Sequence, residues 1–186
     1  MSTTVRTTYD QFDEMIRRGD FADTDDRYEL FWGEIRIMPL PLPKHEDVVD
    51  ELNEWSIQSL PAKTARVRVQ NTLGIPALES LTRPDLAWMK TRDYSVQRPL
   101  AEDVLLIIEV PDSTLSKDRK TKGKLYAQAG IAEYWIVNLR NRCVEVRRDP
   151  EGDLYRTVLT IKRDQEARPL AFPDVVLPIS RLFPDC

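Results

Sequence analysis

The sequence predicts one α/β domain over residues 1–186, with a mixed central sheet flanked by helices. Three observations favour this class. The segment DVLLIIEV at 103–110 contains five consecutive aliphatic residues, as in a strand buried on both faces. A helical pattern follows at 117–129, and EYWIVNL at 133–139 is a second buried strand. Such a strand–helix–strand run favours a parallel crossover between the two strands.

An N-terminal helix and a hairpin are predicted before this core. Residues 7–19 place apolar side chains at helical spacing, with threonine hydroxyls at the start and Gly19 at the end. The segment YELFWGEIRIM at 28–38 alternates apolar and polar residues around Trp32 and Gly33, which predicts two strands and a tight turn.

Prolines between residues 39 and 84 predict where helices and strands begin and end in the middle of the chain. We expect PLPLPK at 39–44 to be an extended connection, because its three prolines lack backbone N–H groups. A helix from His45 to about Leu60 should follow, then a strand at 67–70 and a loop through Gly74 and Pro76. A strand at 85–89 begins directly after Pro84.

The C-terminal third predicts a last hairpin, with strands at 144–146 and 154–161, and an apolar tail at 179–183. The sequence leaves open whether exposed apolar residues join two copies into a homodimer or cover the core of their own chain. The candidate interface residues are Phe31, Trp32, Leu182 and Phe183.

Composition excludes several classes of protein. The net charge of −4 argues against a protein that coats nucleic acid by bulk charge. One histidine and two cysteines, Cys143 and Cys186, cannot make an ordinary zinc site or a disulfide framework. No apolar run approaches the roughly 20 residues that span a bilayer. We therefore expect a cytoplasmic protein without a membrane partner.

Two carboxylates occupy unusual positions. Asp85 starts a strand after a proline, and Glu109 ends the aliphatic run. A charged side chain at the end of a buried strand needs a partner or a metal ion, although a solvated carboxylate at a strand end is the simpler alternative. At about 100° per residue, the following helix places Lys122 on the same face as Leu125 and Tyr126. A local ion pair between Lys122 and Asp118 is the alternative there.

Three segments carry a family resemblance: PDLAWM at 84–89, LLIIEV at 105–110, and the run from Asp118 to Leu139 with Lys122 and AG-x-x-EYW. With YEL-x-x-GE at 28–34 and the proline-rich entry to His45, they make the chain similar to the Uma-two family of restriction-endonuclease-like proteins. The resemblance covers nearly the whole chain and implies the PD-(D/E)xK nuclease fold.

The resemblance also implies a function. In that group an Asp and a Glu on neighbouring strands bind Mg²⁺ (or Mn²⁺) and a lysine assists, so the implied metal ligands are Asp85 and Glu109. The usual lysine position, two residues after the Glu, is Pro111 here, which makes Lys122 the candidate. Glu29 and His45 match positions that accompany the site. The implied activity is phosphodiester hydrolysis in nucleic acid, with DNA as the expected substrate.

Two alternatives stay open. The segment EVPDST after Glu109 is one residue shorter than the family pattern, so the chain could be an inactive nuclease-fold module that binds nucleic acid or protein. An unrelated small-molecule enzyme is disfavoured, because the chain has no Gly-rich phosphate loop and no nucleophilic Ser or Cys motif. Five basic residues are candidates for substrate contact or simply for solvated surface charge: Arg66, Arg68, Lys117, Lys120 and Lys124.

Overall fold

The computed structural model describes residues 6–22, 26–111 and 116–184, without the side chains of 116–119. Three α-helices lie in these ranges: α1 (Tyr9–Arg18), α2 (Pro43–Ser59) and α3 (Ser116–Gln128). The strands are β1 (Arg27–Phe31), β2 (Glu34–Met38), β3 (Ala65–Val69), β4 (Leu73–Ile75), β5 (Ser80–Thr82), β6 (Leu86–Lys90), β7 (Val104–Glu109), β8 (Glu133–Asn138), β9 (Cys143–Glu151), β10 (Leu154–Lys162), β11 (Glu166–Ala167) and β12 (Leu177–Pro178).

The central sheet is mixed and has six strands in the order β10-β9-β8-β7-β6-β3. Only β7 and β8 pair in parallel, and α3 joins them. This is the crossover that the strand–helix–strand pattern predicts. A second sheet, in the order β2-β1-β5-β4, contains the predicted hairpin, and β11 pairs with β12.

The two faces of the central sheet are both covered, which explains the unbroken aliphatic run of β7. Leu106 and Ile108 pack in a core cluster with Trp55 of α2. Ile107 points the other way, into a cluster with Leu125 of α3 and Phe31 of β1. Helix α2 therefore covers one face, and α3 with the smaller sheet covers the other.

The N-terminal helix and the hairpin form as predicted. Thr8 and Gln11 make a capping box at the start of α1, and Gly19 ends it in the left-handed region. At the turn of the hairpin, Trp32 and Gly33 both have positive φ, 48° and 80°, as in the primed turns that suit strand twist.

Two expectations need correction. Helix α2 begins at Pro43 and not at His45, because proline fits the first helical turn, where its missing N–H has no partner to lose. The expected loop around Gly74 and Pro76 instead contains two short strands, β4 and β5. These strands pair with each other, and β5 also pairs with β1.

The candidate interface residues take the second of the two roles left open by the sequence. Leu182 and Phe183 are buried against the cluster under α2, and Phe31 is buried under α3, so these residues cover the core of their own chain. Trp32 is half-buried and its indole N–H donates to Gln128. No described helix is long and apolar enough to cross a membrane.

Candidate active site

Glu109, the last residue of β7, is buried between the sheet and α3. The Lys122 ammonium donates to both of its carboxylate oxygens, at 3.0 and 3.1 Å. The Tyr126 hydroxyl also donates to Oε1, at 2.8 Å. Glu109 is therefore held from α3 by two side chains one helical turn apart.

Asp85 directly precedes the neighbouring strand, β6. In the antiparallel pair β6–β7, Leu86 is opposite Ile108, so continuing the register by one residue sets Asp85 opposite Glu109. The strand predicted at 85–89 therefore begins one residue later, at Leu86. Its Oδ2 accepts the backbone N–H of Val110 at 2.9 Å, and its Oδ1 lies 3.1 Å from Nε2 of His45. His45 reaches it from the first turn of α2.

Lys122 points inward, as its position on the same helical face as Leu125 and Tyr126 predicts, and only 6% of it is exposed. Lys120 and Lys124 on α3 are exposed. The alternative partner Asp118 belongs to the residues whose side chains are not described. The ammonium of Lys122 contacts Glu109, and it lies 3.7 Å from Oε1 of Glu29.

Glu29 comes to the same place from β1 of the second sheet and is fully buried. Its nearest cations are Lys122 and, at 3.9 Å, Arg27. Neither of its oxygens accepts a hydrogen bond of normal geometry from a described side chain. The five residues proposed from the sequence, Glu29, His45, Asp85, Glu109 and Lys122, thus lie in one cluster.

The cluster carries more negative charge than its cations balance. Burial raises the pKa of Glu109. The positive charge of Lys122 lowers this pKa, and the negative charges of Asp85 and Glu29 raise it further. Burial also raises the pKa of Glu29 despite Lys122 and Arg27 nearby. Burial alone would raise the pKa of Asp85, but the hydrogen bond with His45 and the Lys122 charge hold it below its usual value.

Lys122 stays charged in this setting. Burial acts to lower its pKa, but the carboxylates of Glu109, Glu29 and Asp85 outweigh burial and raise it. With all three carboxylates ionised, three negative charges face the ammonium of Lys122 and the guanidinium of Arg27, which lies 3.9 Å from Glu29. Such an excess favours either a retained proton or a bound cation.

Comparison with known proteins places the chain in a family. A family model described as "Uma2: Putative restriction endonuclease" matches residues 9–180. The chain belongs to the Uma2 family. A crystal structure described as a putative nuclease belonging to DUF820, from Anabaena variabilis ATCC 29413, has the same fold, with a TM-score of 0.73 and 20% identity. That alignment covers 95% of this chain and 97% of the other. Among curated proteins none matches.

The donor set of this Uma2 chain fits a hard divalent cation. A carboxylate offers about four lone-pair sites. Described groups use three of these sites on Glu109 and two on Asp85, and the oxygens of Glu29 accept no hydrogen bond from a described side chain. Within the described ranges no three His, Cys, Asp or Glu side chains form a ready ligand group. Water would complete the shell, as is usual for Mg²⁺.

Two contacts of the cluster were not predicted from the Uma2 sequence. The first is the hydrogen bond from Tyr126 to Glu109. The sequence places Tyr126 on the inner face of α3, and its spacing of four residues from Lys122 is the signal that could have predicted this contact. The backbone N–H of Val110 carries no sequence signal. The shortened segment after Glu109 includes residues 112–115, which lie outside the described ranges.

Proposed function

We propose that this protein is a metal-dependent nuclease that hydrolyses phosphodiester bonds of nucleic acid, with DNA as the substrate and Mg²⁺ or Mn²⁺ as the cofactor. One observation carries the proposal. Asp85 and Glu109, buried at the facing ends of two paired strands, share a cluster with Glu29 in which the three carboxylates, when ionised, outweigh the charges of Lys122 and Arg27. An ion-pair cluster with a purely structural role is more stable when its charges balance, so an excess of negative charge in a protein core favours a functional role.

In this mechanism Asp85 and Glu109 would hold the cation, with Glu29 as a third carboxylate in reach of the same region. A divalent ion held there would supply Lewis acidity and a more acidic water. Lys122 supplies a fixed positive charge beside the phosphate that is attacked, where negative charge develops. His45 and Tyr126 are positioning residues, because they contact Asp85 and Glu109 respectively and fix their orientation.

A second candidate function has its own support. Lys122 contacts both oxygens of Glu109, so the cluster has internal partners for its charges without any ion. This arrangement suits an inactive nuclease-fold module that binds nucleic acid or protein. Assembly as a homodimer is a further proposal; light scattering at micromolar concentration that gives the mass of one chain would exclude it.

A cleavage assay separates the two functions. Plasmid, linear duplex, single-stranded DNA and RNA are incubated with the protein in Mg²⁺, in Mn²⁺ and in EDTA. We expect cleavage with either metal, none in EDTA, and none by the Asp85→Asn variant, which keeps the size of the side chain. Equal cleavage by the parent and Asp85→Asn would indicate a contaminant. Intact substrates in every metal would favour the binding module.

Metal affinity should rise with pH above the ordinary glutamate pKa. Because burial raises the pKa of Glu109 to about 8, this carboxyl group holds a proton in the folded protein that a cation must displace. Raising the pH removes this proton before the ion arrives. Calorimetric titration with Mn²⁺ between about pH 6 and 8, in buffers of different ionisation enthalpy, measures affinity and proton release together. Constant affinity without proton release would contradict the raised pKa of Glu109.

A further inference from the structure

Two arginines lie on the same face of the central sheet as the carboxylate cluster. Strand β3 is an edge strand and pairs with β6, with Arg68 opposite Ala87 and Arg66 opposite Met89. Ala87 and Met89 belong to the cluster under α3, whereas Leu86 and Trp88 belong to the opposite face. Directly opposed residues of an antiparallel pair share a face, so both arginines point to the side of Glu109.

Their charges are not paired in salt bridges. Within the described residues neither arginine lies within salt-bridge distance of a carboxylate, Arg66 interacts electrostatically with the exposed Asp93, and Nε of Arg68 is buried without a hydrogen bond. Arg68 only approaches Asn71, at 3.5 Å. Both guanidinium groups lie over the ring of Tyr94, at 5.9 Å for Arg66 and 5.6 Å for Arg68. The ring holds two cations side by side without neutralising them.

The other basic candidates are placed differently. Lys124 makes an ion pair with Asp153 at 2.7 Å, on the outer side of α3. Lys120 is exposed on that helix, and the side chain of Lys117 is not described. Of the five basic candidates, Arg66 and Arg68 are the two that the register of the sheet places on the face of the cluster.

We propose that Arg66 and Arg68, held on Tyr94, bind backbone phosphates of the nucleic acid beside the bond that is cut. This inference rests on the proposed nuclease function. Strand geometry puts the α-carbons of Arg68 and Arg66 about 8 and 14 Å from that of Asp85, or roughly two and four base-pair steps of duplex DNA. A cluster with excess negative charge repels phosphate, so cations at this distance offset the repulsion along the strand.

The alternative is that the arginines only keep the edge strand from pairing with other chains. Binding of a fluorescent duplex, measured by anisotropy in EDTA at several salt concentrations, separates the two. The variant Arg66→Gln with Arg68→Gln keeps polar, planar side-chain groups on β3 but removes both charges. The matched control is Arg156→Gln with Lys162→Gln on β10, the other edge of the same sheet.

We expect the slope of log affinity against log salt to fall by about 1.8 in the Arg66/Arg68 variant, since each phosphate contact contributes about 0.9. The β10 control and the variant Arg66→Lys with Arg68→Lys should keep the parent slope. An unchanged slope in the Gln variant, or an equal drop in the control, would overturn the proposal. If the Gln variant shows the lowered slope but the parent protein cleaves no substrate, the phosphate site is supported and only the proposed hydrolysis is refuted.

Discussion

Replacing Lys122 with methionine should stop cleavage and lower the free energy of unfolding by about 3–5 kcal/mol, the usual cost of stranding a buried charge. Lys122 is the cation that contacts Glu109 and also lies near Glu29. Without it, the buried carboxylates repel each other, and a phosphate loses the fixed positive charge beside it. Removing one such preorganised group costs about 3–4 kcal/mol of transition-state stabilisation.

The matched control is Lys124→Met on the same helix, since Lys124 is exposed and its partner Asp153 is half-exposed. It should unfold and cleave like the parent protein. Chemical denaturation and initial cleavage rates measure the two effects separately. Adding Glu109→Gln to Lys122→Met should restore part of the lost stability, because one of the unbalanced charges is gone. A Lys122→Met protein that is stable and active would remove Lys122 from the site.

Glu109→Gln should lower cleavage by about a thousandfold or more while the fold keeps or gains stability at neutral and alkaline pH. The raised pKa means that the folded protein binds the proton more tightly than the unfolded chain does. Stability of the parent therefore falls as pH rises from the ordinary glutamate pKa toward the folded value. Glutamine resembles the protonated form and escapes this loss.

Glu133→Gln is a matched control at another buried carboxylate of the same sheet. Glu133 pairs with Arg148 at 2.7 Å, and it also accepts hydrogen bonds from Trp135 and the backbone of Leu170. Its replacement should reduce stability and leave the cleavage rate of the folded protein unchanged. Melting temperatures across a pH series and cleavage rates give the comparison. A Glu109→Gln protein that is less stable than Glu133→Gln at alkaline pH would contradict the charge excess.

The central strands could be predicted because their signals are local. Five aliphatic residues before Glu109 indicate a strand covered on both faces, and the spacing of Lys122, Leu125 and Tyr126 fixes which side of α3 faces inward. Asp85 and Glu109 stand out because charge at the end of such strands is costly. Their placement opposite each other then follows from the pairing of β6 and β7.

What the sequence did not predict depends on long-range contacts. Strands β4 and β5 have three residues each and no propensity signal, and they exist because β5 pairs with β1. The alternating pattern of the hairpin does not predict that Glu29 is buried. Its burial depends on helix α3, which lies over β1 and brings Lys122 to within 3.7 Å of Glu29. The apolar tail gave no indication whether Leu182 and Phe183 cover their own core or a partner.

The most direct measurement of the central claim is anomalous diffraction from crystals soaked in Mn²⁺ at a pH above neutrality. We expect one strong anomalous peak bounded by the carboxylates of Asp85 and Glu109, and its loss in crystals of Asp85→Asn. A peak elsewhere, or none at a concentration that supports cleavage in solution, would contradict a metal site in this cluster.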